Sequence, residues 1–254
     1  MMLVAAVAIM TQFEFYKLLS KIDQRPFWIT GMSCGVGMLL MSIFCISSNN
    51  INAAMSEMLF FSIIIVVIQA LFSHSLMTSR KSITATLSGI IYVPFMSIFP
   101  IALMSKMSAV GMSDGQCIFT LVWLILTTKF CDIGGMFAGK YFGRHKLAPN
   151  FSPKKTFEGL IGGILCSNII SVGLLLLFPA LLPEKLTVIV SIILATCLAL
   201  LSIVGDLVES AIKRLANEKD SGATLPGIGG VFDLSDSLLL ALPFASIVLM
   251  HVVI

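Results

Sequence analysis

The chain has 254 residues, of which 57% are hydrophobic and only 11% are charged. Because an ordinary soluble domain carries about 25% charged residues, this composition excludes a water-soluble globular fold of the same size. The net charge of +3 is small, and no basic run is interleaved with aromatic residues, which argues against a nucleic-acid-binding protein. We therefore predict an integral membrane protein that forms one membrane-embedded domain, residues 1–254.

Eight apolar segments approach the length of about 20 residues that a helix needs to cross a bilayer. The first lacks the basic region and cleavage site of a signal peptide, so we interpret it as a spanning helix and leave open whether an N-terminal segment precedes it. Pro94 and Pro100 predict a kink or break in the fourth. The fold class is thus all-α, a polytopic bundle of about eight spanning helices. The eight segments are 2–19, 27–48, 57–73, 83–104, 116–138, 158–182, 187–206 and 237–254.

Basic residues alternate between the connecting loops. Thirteen of the sixteen lysines and arginines follow the first, third, fifth and seventh segments. Cytoplasmic loops of membrane proteins are enriched in these residues, so we expect these loops on the cytoplasmic side and both termini on the other. The six cysteines lie mostly in apolar segments and form no CxxC pair, and we expect neither disulfide bonds nor a zinc site.

The acidic residues are also unevenly distributed. Eight of the thirteen lie in or beside two of the expected cytoplasmic loops, 139–157 and 207–236, which together carry eight basic residues. A purely structural bundle has no need of this accumulation of charge. We therefore predict a functional site at the cytoplasmic mouth of the bundle, with residues 1–110 as a helical scaffold and residues 116–254 as the catalytic region.

The first charged loop follows Asp132 and leads to a short run with two lysines. Serine followed by proline is typical of a helix N-cap and first turn, which places the two lysines at a helix N-terminus, where phosphate binds readily. A membrane-surface anchor explains the same lysines. Lys129 and Asp132 are three residues apart, so Asp132 either forms an internal ion pair or joins the site. The run consists of Ser152, Pro153, Lys154, Lys155 and Thr156.

The second charged loop begins at Asp206, at the end of an apolar segment. A carboxylate at the edge of the hydrocarbon is costly and is usually held by a cation, either a metal or a partner such as Lys213 on the same helix face. The glycines and proline of residues 222–230 exclude a helix interior and let backbone amides approach an anion. Asp233 and Asp236 then lie three apart at a helix start, where they bind a metal with Asp206 or cap the helix.

Both stretches closely resemble the characteristic segments of the phosphatidate cytidylyltransferase family, and residues 14–19 resemble its early segment. The signature spacing is kept over 27 residues without a gap. Ile228 stands where the family has histidine, Leu234 where it has arginine, and Ser235 where it has an apolar residue. The matched signature residues are Ser210, Ile212, Lys213, Arg214, Lys219, Asp220, Gly222, Leu225, Pro226, Gly229, Gly230, Asp233 and Asp236.

The resemblance implies a metal-dependent transfer of CMP from CTP to phosphatidic acid, which gives CDP-diacylglycerol and pyrophosphate at the cytoplasmic face of a bacterial inner membrane. The cofactor implied is Mg²⁺, and a second cation and a homodimer stay open. The resemblance assigns catalysis to Asp206, Asp233, Lys213, Asp220 and Asp236, and metal binding to Asp206, Asp233 and Asp236. It assigns substrate binding to Ser152, Lys154, Lys155, Thr156, Ser210, Arg214, Lys219, Gly229 and Gly230.

Other functions stay open at this point. The sequence does not indicate which lipid tail is bound. A cytidylyltransferase or kinase that acts on another membrane lipid would therefore need the same charged residues. The departures at Ile228 and Leu234 leave an inactive paralogue open. A CDP-alcohol phosphatidyltransferase is disfavoured because its aspartate pattern is absent. An ion-coupled transporter should carry its acids at mid-bilayer in inverted repeats, whereas the acids here gather at one edge.

Overall fold

A computed structural model describes residues 1–44, 51–72, 76–149, 152–222, 224, 227 and 229–254. Of the residues discussed above, Cys45, Leu225, Pro226 and Ile228 lie outside this part of the chain. The described residues are mainly helical. The helices are α1 Met2–Lys21, α2 Trp28–Phe44, α3 Ile51–Leu71, α4 Leu76–Ile90, α5 Met96–Ala109, α6 Asp114–Phe142, α7 Phe157–Leu177, α8 Val188–Leu215 and α9 Val231–Val248.

Six helical stretches in the described part of the chain are long and apolar enough to cross a membrane, and two shorter apolar helices accompany them. These elements coincide with the eight apolar segments, which confirms the predicted all-α polytopic membrane bundle. The six long stretches are Met2–Lys21, Ser79–Ala109, Asp114–Phe142, Phe157–Leu177, Val188–Leu215 and Val231–Val253, and the shorter helices are Trp28–Phe44 and Met55–Leu71.

The two prolines of the fourth segment distort the helix without ending it. A π-helical turn, Ile91–Phe95, contains Pro94, and α5 follows directly and contains Pro100. Proline has no amide hydrogen and its ring clashes with the preceding turn, so a wider turn relieves the conflict. The expected distortion is therefore a π turn, and the expected break is wrong.

The loop between α6 and α7 contains a short antiparallel hairpin of β1, Lys146–Ala148, and β2, Ser152–Thr156. The interpretation of Ser152 as a helix N-cap is therefore wrong. Thr156 is the N-cap of α7, and its hydroxyl accepts a hydrogen bond from the Gly159 amide at 3.1 Å. The serine–proline pair starts a strand because the Thr156 hydroxyl, four residues later, supplies the cap.

The chain forms two compact units, each made from two segments of the sequence. The first unit comprises Met1–Ala102 and Ile212–Ser235, and the second comprises Leu103–Ala211 and Asp236–Ile254. In the first unit, the Tyr16 hydroxyl of α1 donates to the Thr86 carbonyl of α4 at 2.8 Å. The loop that follows α8 belongs to this unit together with the N-terminal helices.

In the second unit, α6 and α7 approach each other through small residues. A Cβ added to Gly162 would lie 2.2 Å from the Ala138 Cβ, and one added to Gly134 would lie 2.4 Å from the Cys166 Cβ. Close backbone approach is a principal source of helix association in lipid, where burial of apolar side chains contributes little. This contact fixes the ends of α6 and α7 that carry Asp132 and Thr156.

Candidate functional site

A cavity of about 620 Å³ lies in the second unit, beside the hairpin and the ends of α6, α7 and α8. Its wall is amphipathic, because charged and aliphatic side chains both line it. Such a wall can hold a phosphate and an adjoining apolar group together. The charged lining residues are Asp132, Lys140, Lys146, Lys154, Lys155 and Asp206, and the large apolar ones are Met136, Leu147, Leu160 and Ile203.

Lys155 of the hairpin contacts Asp206 at the cavity wall. Lys155 Nζ donates to Asp206 Oδ2 at 2.8 Å, and the two side chains are 24% and 20% exposed. Asp206 thus has a cationic partner within the second unit, and its pairing with Lys213 stays a prediction. Within the first unit, Lys213 pairs with Asp233 at 3.0 Å. A strand before α7 makes the Asp206 pairing feasible because it presents Lys155 toward α8.

Two more carboxylates and a second lysine extend this pair within the second unit. Asp206 lies close enough to Asp132 and to Asp236 for the like charges to repel each other. Lys129 Nζ lies 3.6 Å from Asp132 Oδ2 and 3.7 Å from Asp236 Oδ1. Asp132 thus both forms the ion pair with Lys129 and lines the cavity, so the two interpretations of Asp132 hold together.

A glycine brings the backbones of α8 and α9 together at this point. A Cβ added to Gly205 would lie 2.5 Å from the Asp236 carbonyl oxygen. The neighbouring Asp206 is therefore held beside Asp236. Asp236 itself lies inside α9, one turn after Asp233, so its alternative role as a helix cap is wrong.

The donor set of the second unit is chemically suited to magnesium. Mg²⁺ prefers oxygen ligands and is usually bound by one or two carboxylates together with substrate phosphates and water. Asp206 and Asp236 offer two such carboxylates, and the three aspartates exceed the two lysines by one negative charge. In the part of the chain that the structure describes, no group of three or more His, Cys, Asp or Glu side chains is arranged to hold a metal alone.

The first unit holds a buried carboxylate that the sequence reasoning did not assign. Glu14 of α1 is 3% exposed and accepts hydrogen bonds from the Ser221 hydroxyl, the Thr224 hydroxyl and the Phe232 amide. A Cβ added to Gly230 would lie 2.3 Å from a Glu14 carboxylate oxygen. The available signal was an acidic residue within the otherwise apolar first segment. Glu14 therefore organises the glycine-rich loop.

Asp233 is also surrounded by this loop. Its carboxylate accepts hydrogen bonds from the Gly230 amide at 2.7 Å and the Ser221 amide at 3.1 Å, besides the Lys213 pair. Gly229 has φ of +117°, and a Cβ there would lie 2.6 Å from Asp233 Oδ2. Only glycine tolerates both the positive φ and the close approach of the carboxylate, which explains the glycine at this signature position.

The remaining predicted site residues are distributed between the two units. Around the cavity of the second unit lie Ser152, Lys154, Lys155, Thr156 and Asp206, although the Thr156 hydroxyl already caps α7. Ser210, half-buried on α8, also belongs to the second unit. The first unit contains Lys213, Gly229, Gly230 and Asp233, together with the exposed residues Arg214, Lys219 and Asp220.

Two of the departures from the family pattern have visible surroundings. Leu234 is 41% exposed. Ser235 is buried, and its hydroxyl forms a hydrogen bond of 2.9 Å with the Thr11 hydroxyl of α1. Its polar group is thus satisfied, which explains how a serine replaces an apolar residue there.

Known proteins similar to this chain include three from staphylococci, each named phosphatidate cytidylyltransferase. The protein of Staphylococcus haemolyticus (strain JCSC1435) is 41% identical over 133 residues, which are 52% of this chain and 47% of that protein. The protein of Staphylococcus saprophyticus is 39% identical over 134 residues, 53% and 48% of the two chains. That of Staphylococcus aureus (strain COL) is 40% identical over 133 residues, 52% and 47%.

The chain spans about half the length of the curated relatives it matches. A broader match comes from the sequence profile of the Cytidylyltransferase family, which covers residues 1–252. This match includes both charged stretches and the scaffold helices that precede them. The chain therefore belongs to the Cytidylyltransferase family.

Proposed function

We propose that this protein transfers CMP from CTP to phosphatidic acid and releases pyrophosphate and CDP-diacylglycerol. The observation that carries the proposal is the cavity of about 620 Å³, which four lysines line together with Asp132, Asp206 and apolar side chains. Membership of the Cytidylyltransferase family and the name of the staphylococcal relatives support the same reaction. The loops rich in lysine and arginine support a cytoplasmic orientation in a bacterial inner membrane.

The reaction needs charge neutralisation more than acid–base chemistry. A phosphate oxygen of phosphatidic acid forms a bond to the α-phosphorus of CTP, and the bond from that phosphorus to the bridging oxygen of pyrophosphate breaks. The attacking oxygen is already anionic, so no base is required to activate it. Lysines at the cavity hold the anionic reactants at bonding distance against their mutual repulsion.

The ion pair at the cavity wall can exchange partners. Lys155 is held by Asp206 at 2.8 Å, and Lys154, Lys140 and Lys146 line the same cavity. A lysine has three donors on a flexible stem, so it can turn from a carboxylate to a phosphate oxygen without backbone movement. We assign Lys154 and Lys155 to the phosphates of the substrates.

Magnesium fits the carboxylates of Asp206 and Asp236. When bound, it would supply positive charge that offsets the negative charge of the phosphates. Asp206 and Asp236 would hold the ion, while Lys155 limits the negative charge of the cluster before substrate arrives. The roles of Asp233 as a further ligand, of a second cation and of a homodimer stay predictions.

The proposal is tested by incubating the full chain in detergent with labelled CTP, Mg²⁺ and phosphatidic acid. CDP-diacylglycerol should form, and it should vanish when the metal is chelated. Full activity of Asp233→Asn would remove Asp233 from the metal ligands. If phosphatidic acid is inert but a polyprenyl or isoprenoid phosphate accepts CMP, the lipid assignment is wrong while the cytidylyl transfer stands.

A further inference from the structure

We propose that Lys129 is a fixed cation of the candidate site, which positions Asp132 and Asp236 and lowers their affinity for divalent metal. This inference rests on the proposed function, because it concerns the same carboxylates. Lys129 lies on α6, and its side chain is 28% exposed. The resemblance to the cytidylyltransferase signature assigned Lys129 no role.

The contacts of Lys129 form a closed network between two helices. Its ammonium donates to the Ser237 hydroxyl of α9 at 2.7 Å. That hydroxyl in turn donates to Asp132 Oδ2 of α6 at 3.2 Å, and the ammonium lies within 4 Å of Asp132 and Asp236. Only a side chain that is cationic and has several donors can meet these three partners at once. The Ser237 amide also donates to Asp236 Oδ1 at 2.7 Å, so Lys129 acts on the Asp236 carboxylate together with Ser237.

The charge of Lys129 also changes what the cluster attracts. Among the five side chains joined by these contacts, the three aspartates exceed Lys129 and Lys155 by one negative charge. Without Lys129 the excess would be two. The ammonium lies 3.7 Å from Asp236, close enough to repel a metal ion bound there. Lys129 thus keeps the resting site from holding metal tightly, so that metal enters with the nucleotide.

A neutral variant of similar length separates these two effects. The full chain in detergent is prepared as Lys129→Met and, as the charge-keeping control, Lys129→Arg. Mn²⁺ binding without substrate is measured by electron paramagnetic resonance, and kcat and KM are measured with CTP and phosphatidic acid. Because unit charges about 4 Å apart still interact appreciably in a protein, we expect Lys129→Met to bind Mn²⁺ roughly tenfold more tightly. Its kcat should fall by roughly the same factor or more, since the carboxylates lose their positioning contact.

These opposite changes would not result from a purely structural defect, which lowers both metal binding and turnover. Lys129→Arg should stay close to the wild-type protein in both measurements. In Lys129→Ala, added propylammonium should restore part of kcat and weaken Mn²⁺ binding again. If Lys129→Met does not fold, Lys129→Gln compared with Lys129→Arg gives the same pair of measurements.

Unchanged or weaker Mn²⁺ binding in a folded neutral variant would overturn the proposal. So would a Lys129→Arg protein that behaves like Lys129→Met. A wild-type protein without CTP-dependent activity would instead contradict the proposed function. The comparison of Mn²⁺ affinities would still decide the role of Lys129 in that case, because it requires no substrate.

Discussion

The carboxylates of the two compact units have different partners. In the first unit, Glu14 accepts hydrogen bonds from the Ser221 hydroxyl and the Phe232 amide, and Asp233 accepts from loop amides and pairs with Lys213. In the second unit, Asp206 pairs with Lys155 beside a cavity, and Asp132 and Asp236 share Lys129. Amides of a folded loop cannot leave a carboxylate without unfolding, whereas a lysine can turn toward another anion. Glu14 thus organises backbone, whereas Asp206 pairs with a lysine that can exchange partners.

This contrast shows that the acidic residues of one sequence signature can have different roles. The signature residues from Ser210 to Asp236 include residues of both units. Variants in the first unit should act mainly on stability, and variants in the second should act mainly on turnover. Melting temperature and kcat measured on the same variants test this distinction.

The largest expected effect belongs to Asp206. In Asp206→Asn the side chain keeps its size but loses the charge that faces Lys155 at 2.8 Å. Removal of one preorganised electrostatic group typically costs roughly 100-fold to 1,000-fold in kcat. We expect that loss in CDP-diacylglycerol formation with little change in the melting temperature. The control is Asp23→Asn, an exposed aspartate of the first unit that pairs with Lys81. A fully active Asp206→Asn protein would contradict the chemical role of the second cluster.

Glu14 should show the opposite balance. Glu14→Ala leaves the Phe232 amide and two hydroxyls without their buried acceptor, at a cost of about 1–3 kcal/mol for each group that stays unsatisfied. We expect a lower melting temperature and faster tryptic cleavage at Lys219 in the loop. Glu14→Gln keeps one acceptor oxygen and should lie between the alanine variant and the wild-type protein. A normal melting temperature in Glu14→Ala, together with lost turnover, would show that Glu14 acts in the reaction and not in stabilising the loop.

Gly205 tests whether the approach of α8 to α9 positions the second cluster. Gly205→Ala places a methyl group 2.5 Å from the Asp236 carbonyl oxygen, so the helices must separate. Such overpacking typically costs about 1–3 kcal/mol of unfolding free energy. We expect a lower melting temperature and a severalfold loss of kcat. The matched control is Gly173→Ala on α7, where no atom lies within 4 Å of the added methyl group. Equal behaviour of the two variants would exclude the positioning role.

The smallest effect is expected when the departures from the family pattern are reversed. Leu234→Arg places a charge on a side chain that is 41% exposed, and exposed substitutions usually change stability by about 0.5 kcal/mol or less. We expect the double variant Ile228→His and Leu234→Arg to have activity equal to or higher than that of the wild-type protein. A sharp loss in the same CTP assay would show that this site differs from the family pattern.

Hydropathy alone predicted the helices because a bilayer imposes one length and one polarity on every spanning segment. The prediction that Ser152 caps α7 was wrong because Ser152–Pro153 has the local chemistry of an N-cap. Only the structure shows that Thr156 is the residue that caps the start of α7. Glu14 was not assigned because its donors come from residues about 200 positions later in the chain.

The sequence by itself determined that this is a polytopic membrane protein, which residues carry charge, and which signature they form. Tertiary structure alone decided that Lys155 pairs with Asp206, that Lys129 lies between Asp132 and Asp236, and that Glu14 holds the loop. The physical reason is that residue types and local spacing fix helices and polarity. The partner of a buried charge depends instead on which backbones approach closely enough, and small residues such as Gly205 allow that approach.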